Sequence, residues 1–289
     1  MSVNSGHVPV LQHIFFPSDF SPASEPAFAH ALKAALVAKA DLTILHVSTK
    51  QASDWTDFPG VRAVLERWGL LPKGSTQADV LKLGIGVKKI QALQEDPVEA
   101  VVAYLDTHAT DLIVVATDQN KEKVQWLSKS IAAPIARKSG QMTLFILKGV
   151  DGFVSMKDGS ISLTSILVPV VSTPSPQPAI HAAVRMAHRM SCPSGLFTLV
   201  HVGKKDSMPD VQLPDLPGWK WNSVVREGEV VDVIHETALE VKAGLIVLTT
   251  EGRHGFLDAL RGSHSERLLQ RSPCPLLAIP ASGFISSVL

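Results

Sequence analysis

The sequence predicts an α/β fold built as a tandem repeat: two doubly wound domains, each with a five-stranded parallel sheet. Three observations predict it. Short apolar runs alternate with helical stretches along the chain, and continuous apolar strands belong to parallel sheets covered on both faces. The second half repeats the first. Asp111-Leu112-Ile113-Val114-Val115-Ala116-Thr117-Asp118 sits opposite Gly244-Leu245-Ile246-Val247-Leu248-Thr249-Thr250-Glu251, and the register holds without a gap to Ile146 and Ile279. Finally, 289 residues suit two domains of about 100–200 residues each. A solenoid would repeat every 20–50 residues or so. The expected domains are 1–152 and 153–289, joined within the glycine-bearing stretch Gly149 to Gly159.

Each element has a local reason. His13 to Pro17 is a short apolar run before a turn signal, hence a buried strand. Ser21-Pro22 starts a helix, because Ser caps and Pro is tolerated in the first turn. Ala27 to Ala40 continues it. Leu42 to Val47 is the second strand. Phe58 to Leu70, preceded by Trp55, places Val61, Val64, Leu65 and Trp68 at helical spacing. Val80 to Ile85 reads as the third strand. Pro97 to His108 is a helix, Leu112 to Ala116 a strand, Lys129 to Lys138 a helix and Thr143 to Leu147 the fifth strand. The second half follows the same order. Its strands are Ser165 to Val170, Phe197 to Val202, Ser223 to Arg226, Leu245 to Thr249 and Leu276 to Ile279. Its helices are Gln177 to Met190, Val231 to Val241 and Ser263 to Gln270. Pro209, Pro214 and Pro217 leave little room for a helix before Trp219 and Trp221.

Composition excludes several classes. Hydrophobic content is 45% and charged content 19%, as in a globular protein, and 27 Lys and Arg balance 27 Asp and Glu. No basic face points to nucleic acid. Cys192 and Cys274 form no CxxC pair and no disulfide framework. Met1 to Val10 lacks the basic and apolar segments of a signal peptide. No apolar run approaches the ~20 residues of a spanning helix. The expectation is a cytoplasmic protein without membrane contact.

Ligands of doubly wound sheets bind at the C-terminal strand ends, where the winding reverses. The Pro17–Asp19 turn and the loop from Ala116 to Ser130 leave such ends, as do their second-half counterparts. There the two copies differ. The second reads Gly252-x-x-Gly255-x6-Gly262-Ser263, while the first has Gln119, Glu122, Lys129 and Ser130. Glycines let backbone N–H groups approach a phosphate, and a helix start adds unpaired donors. Arg253, His254 and Arg261 add cations. The same segment also reads as a capping box, Ser263-x-x-Glu266, which needs no ligand. His46 and His201, at equivalent strand ends, read as structural. His235, His254 and His264 show no metal-ligand spacing.

These residues carry a family resemblance. Pro17-Ser18-Asp19-Phe20-Ser21, His46-Val47 and Asp111-Leu112-Ile113-Val114 in the first half resemble universal stress protein domains. So do Leu167-Val168-Pro169-Val170, His201-Val202, Gly252-Arg253-His254-Gly255 through Gly262-Ser263, and Ser272-Pro273-Cys274-Pro275-Leu276 in the second. The resemblance covers nearly the whole chain and implies a tandem member. It implies the Rossmann-like sheet of the adenine nucleotide alpha hydrolase-like folds. It also implies, for some members, bound ATP or AMP, with Mg as a companion ion. In binders a Gly-x-x-Gly-x9-Gly-Ser/Thr loop holds the phosphates, an Asp after the first strand contacts the nucleoside, and the Val of a His-Val pair lies against adenine. Carried over, Gly252, Arg253, His254, Gly255, Gly262, Ser263 and Val202 make the second-half site. Its loop, however, is three residues shorter, and Val171 stands in the place of the Asp. In the first half Asp19, Val47 and Ser130 match while the glycines are replaced, and Glu122 would repel a phosphate. Loss of one hydrogen bond to a charged group costs about 1.5–3 kcal/mol, roughly ten- to a hundredfold in affinity. The second half is therefore the expected site, and a weak one.

Three functions compete. The first is a regulatory stress-response protein that binds adenine nucleotide and acts through a protein partner. The second is a tandem scaffold that binds none. The third is a nucleotide-using enzyme on a related sheet. No Ser-His-Asp order, carboxylate pair or metal cluster supports catalysis, and a full P-loop is absent. A non-enzyme is expected, with weak ATP hydrolysis left open. The fifth strand of each half is a sheet edge. Pairing of the two would make one chain an internal pseudo-dimer, and two chains could associate further as a homodimer.

Overall fold

The computed structural model describes residues 11–48, 60–117, 141–147, 149–150, 152–250, 268–269 and 271–281. The first half supplies β1 (His13–Ser18), β2 (Asp41–Ser48), β3 (Val87–Leu93), β4 (Leu112–Thr117) and β5 (Met142–Leu147). The second supplies β6 (Ser165–Pro169), β7 (Gly195–Val202), β8 (Trp219–Arg226), β9 (Leu245–Thr250) and β10 (Leu276–Pro280). They form a single ten-stranded sheet in the order β3-β2-β1-β4-β5-β10-β9-β6-β7-β8. Within each half every pairing is parallel. The halves join through β5 and β10, which run antiparallel with Leu277 opposite Leu144. Each half keeps the order 3-2-1-4-5, so the winding reverses between β1 and β4, and again between β6 and β9.

Among the described residues six helices pack on the sheet: α1 (Glu25–Ala38), α2 (Val61–Arg67), α3 (Gln77–Lys82), α4 (Pro97–Thr107), α5 (Gln177–Arg189) and α6 (Val230–Glu240); of the helix expected at Ser263 to Gln270, the described residues Leu268 and Leu269 are helical. Alanines at 27, 29, 31, 34, 35 and 38 of α1 are buried. Their small side chains let the helix lie close on the sheet. Capping starts the helices on the opposite face. The Asp96 carboxylate accepts from the Val98 N–H at 2.7 Å and the Glu99 N–H at 3.3 Å. Glu229 does the same for α6, accepting from Val231 N and Asp232 N at 2.9 and 3.1 Å.

Two expected strands are corrected. Val80 to Ile85 is not the third strand. Thr76 and Asp79 form a capping box that starts α3 there, and the strand follows at Val87. In the second half the third strand begins four residues earlier than expected, at Trp219. Trp219 and Trp221 belong to it, and both rings stack on Phe197 of β7, with centroids 4.4 and 4.5 Å away. The expected helix from Phe58 to Leu70 is narrower, Val61–Arg67, with Trp55 and Phe58 outside the described residues. The helix expected at Lys129 to Lys138 lies outside them too.

The core ignores the division into halves. On one face α1, α2 and α5 share a continuous buried cluster with strands from both. On the other, α4 packs over Phe15, Leu45, Val47 and Ile113. The cluster under α6 includes Val115 and Phe145 from the first half. Residues 152–163, between β5 and β6, are also bound to this core. Val154 pairs with Ile161 across a short hairpin, and the Trp68 indole N–H donates to the Met156 carbonyl at 3.3 Å. Gly159, at φ +68°, lies flat on Trp68, where a Cβ would come within 2.6 Å of the ring.

Candidate functional site

The candidate site residues leave the C-terminal strand ends beside the two reversals of winding. In the first half, β1 ends at the buried Ser18, and its turn is closed by its own side chains. The Asp19 carboxylate accepts from the Ser21 N–H at 2.9 Å and the Ser21 hydroxyl at 2.7 Å, a turn held by a local side chain. Phe20 takes a left-handed backbone, φ +58°, unusual for an aromatic residue. Its ring lies on the His46 imidazole, with centroids 3.8 Å apart. His46 Nδ1 is 2.8 Å from the Ser18 carbonyl. That acceptor fixes the ring orientation and places the proton on Nδ1. Val47 is 3% exposed and packs in the core under α4.

The second half has the same frame with different occupants. His201 Nδ1 is 3.0 Å from the Val170 carbonyl, repeating the His46 contact. Here Ser172, which has no ring, takes the place of Phe20 in the repeat. Ser207 approaches instead, with its hydroxyl 2.9 Å from Nε2. Val171, opposite Asp19 in the repeat, is 45% exposed and offers no polar side chain. Val202 is half-buried at the end of β7 against the α6 core. The start of α5 is tied to the end of β9, where the Ala179 N–H donates to the Thr249 hydroxyl at 3.2 Å.

The structure thus brings Asp19 and Val47 to one strand-end cluster and Val202 to the equivalent one. Gly252, Arg253, His254, Gly255, Gly262, Ser263 and Ser130 lie outside the described residues. Among the described residues no group of three His, Cys, Asp or Glu could hold a metal. None of the described helices is long and apolar enough to cross a membrane. Cys274 is buried, which pushes its thiol up to about 12. Half-buried Cys192 is raised by the same cause, so neither is a thiolate nucleophile at neutral pH. Sequence reasoning missed Phe20 on His46 and Ser207 on His201. Phe20 stands beside Asp19, but spacing alone does not report a left-handed residue.

Fold and strand order define a class: a tandem doubly wound α/β protein whose winding reverses once in each half. Comparisons narrow it. The universal stress protein family model matches residues 11–146 and 204–280. A universal stress protein from Archaeoglobus fulgidus superposes with a TM-score of 0.61 at 17% identity, over 93% of this chain and 98% of that one. A functionally unknown protein from Pseudomonas aeruginosa gives 0.59 at 15%, over 94% of each. At those identities the likeness is one of fold. A universal stress protein E homolog from Haemophilus influenzae is 43% identical over 58 residues, 20% of this chain and 19% of that protein. The chain belongs to the universal stress protein family, in the tandem arrangement.

Proposed function

We propose that the protein is a non-catalytic stress-response regulator that binds an adenine nucleotide, ATP or AMP, weakly in its second half, with Mg accompanying ATP. The contrast between the two strand-end clusters carries this reading. In the first half the Asp19 carboxylate already holds Ser21, Phe20 covers His46, and the Val47 side chain is sealed in the core. A ligand there would have to displace contacts the fold already makes. In the second half Val171 is exposed and Val202 only half-buried at the strand ends, and the glycine-bearing segment follows β9. The fit is partial, since Val171 accepts no hydrogen bond from a ribose. Binding would be weak for that reason, and a protein partner would read the occupancy.

Exposed, apolar Val171 at the place of the Asp also favours a second reading, a tandem scaffold that takes no nucleotide. One experiment separates them. The purified protein is denatured and any released nucleotide identified by chromatography. Nucleotide-free protein is then titrated with ATP and with AMP, with and without Mg. Saturable binding in the micromolar to millimolar range is expected. No binding up to a few millimolar would leave the scaffold.

A further inference from the structure

We propose that Ser207 is a site of covalent acylation: its hydroxyl, held against the His201 imidazole, takes an acyl group from an activated ester. The two side chains meet at the C-terminal end of β7. His201 is buried there. The short turn Lys205–Ser207 brings Ser207 back over it, with the hydroxyl 2.9 Å from Nε2. Nδ1 lies 3.0 Å from the Val170 carbonyl. A carbonyl only accepts, so Nδ1 carries the proton and Nε2 presents its lone pair to Ser207. A hydroxyl, a base in hydrogen-bond reach and a third group that orients the base are the parts of an activated nucleophile. Ser207 itself is exposed, so an acyl donor reaches it.

Gly203 keeps the pair open. It stands at φ +149°, and a Cβ there would lie 3.1 Å from Nε2 and 3.1 Å from Ser207 Oγ. A side chain at this position would crowd both reacting atoms. The first half differs at the equivalent places. Ser48 stands opposite Gly203 in the repeat, and the Phe20 ring stacks on His46.

The Ser207 hydroxyl has one proton and two acceptors, because the Lys204 carbonyl lies 2.7 Å away. The Lys204 contact holds Oγ against the ring, and rotation about Cβ–Oγ turns the proton toward Nε2. In the reaction Oγ attacks the acyl carbon as that proton passes to Nε2. The bond from the acyl carbon to the leaving group breaks, and the leaving group keeps the electron pair. Nε2 then gives the proton to the leaving group or to water. The N–H groups of Gly203, Ser207 and Met208 are already donated to the carbonyls of Arg226, Lys204 and Lys205, at 2.8, 3.0 and 3.2 Å. They are not aimed at a developing oxyanion. The donor must therefore bring a good leaving group, and the acyl-serine is an end product. One mark per chain suits a regulator that turns nothing over. An acylated Oγ has no proton for Lys204 or for Nε2, so the mark loosens the turn at a strand end, where ligands of such sheets bind.

Time-resolved labelling of the full chain with 4-nitrophenyl acetate tests it, with the acetylated residues located by peptide mass spectrometry. Ser207 is expected to be acetylated at least about tenfold faster than Ser223, an exposed serine on β8. His201→Gln should slow labelling of Ser207 about a hundredfold, and Ser207→Ala should remove the early release of 4-nitrophenolate. Equal rates at Ser207 and Ser223, or label confined to lysines, would overturn the proposal. So would an unchanged rate at Ser207 in the folded His201→Gln variant. If that variant fails to fold, the comparison of the two serines in the wild type decides. The assay contains no nucleotide, so its outcome is independent of ATP or AMP binding.

Discussion

His30 shows how one side chain ties the two halves together. It is buried in α1. Its Nδ1–H donates to the Pro26 carbonyl at 2.7 Å, and Nε2 accepts the Val154 N–H at 3.2 Å. Gly152 passes so close that a Cβ would lie 2.1 Å from the ring. A ring that both donates and accepts is neutral. Burial lowers its pKa from 6.5 to about 4, against a smaller opposing effect of the Pro26 hydrogen bond. The unfolded chain therefore binds more protons than the folded one between those values. Stability is full above about pH 6.5 and falls as the pH drops toward 4. The total loss is about 3 kcal/mol. Urea unfolding across that range should show it in the wild type and show much less in His30→Gln. Parallel curves would remove His30 from the account.

At the scale of elements, capping and apolar runs made most of the fold legible. Asp96 and Glu229 are repeat-equivalent in sequence and cap equivalent helices, α4 and α6. Asp96→Ala or Glu229→Ala should each cost about 1 kcal/mol, read as a shift in the denaturant midpoint at unchanged slope. The third strand is the least legible element: Val80 to Ile85 overlaps α3 and not β3, and Ser223 to Arg226 is only the C-terminal half of β8. β3 is an edge strand, and Lys88, Lys89 and Gln91 break its apolar run. Solvent on one side removes the continuous pattern that marks β1 or β4. The signal is present in another form, because the offset that matches Asp96 to Glu229 also carries residues 219–226, which form β8, onto 86–93, which contain β3. Less of the site was legible. The repeat located the strand ends and the unequal loops. It did not show that Asp19 turns back onto Ser21, or that Phe20 covers His46, since those follow from a left-handed backbone at one residue.

The whole molecule behaves as one sheet. The edge strands expected to pair within the chain do so through β5 and β10, and Phe145 and Val115 complete the core under α6. α1 and α5 share the opposite core. Unfolding should therefore be a single cooperative transition, with calorimetric and van't Hoff enthalpies in agreement. Phe145→Ala, a fully buried ring at the junction, should lower that transition by about 3–5 kcal/mol. Two separated transitions would mean that the halves are independent.

The division of labour between the halves is tested most directly by the affinity for AMP of four proteins measured side by side. They are the wild type, Asp19→Ala, Gly255→Glu and Val171→Asp. The account predicts weak binding that Asp19→Ala leaves within about twofold and Gly255→Glu abolishes. Val171→Asp, at an exposed position, should tighten it by roughly ten- to a hundredfold by restoring a charged hydrogen-bond acceptor. Loss of binding in Asp19→Ala, with no effect of Gly255→Glu or Val171→Asp, would place the nucleotide in the first half and contradict it.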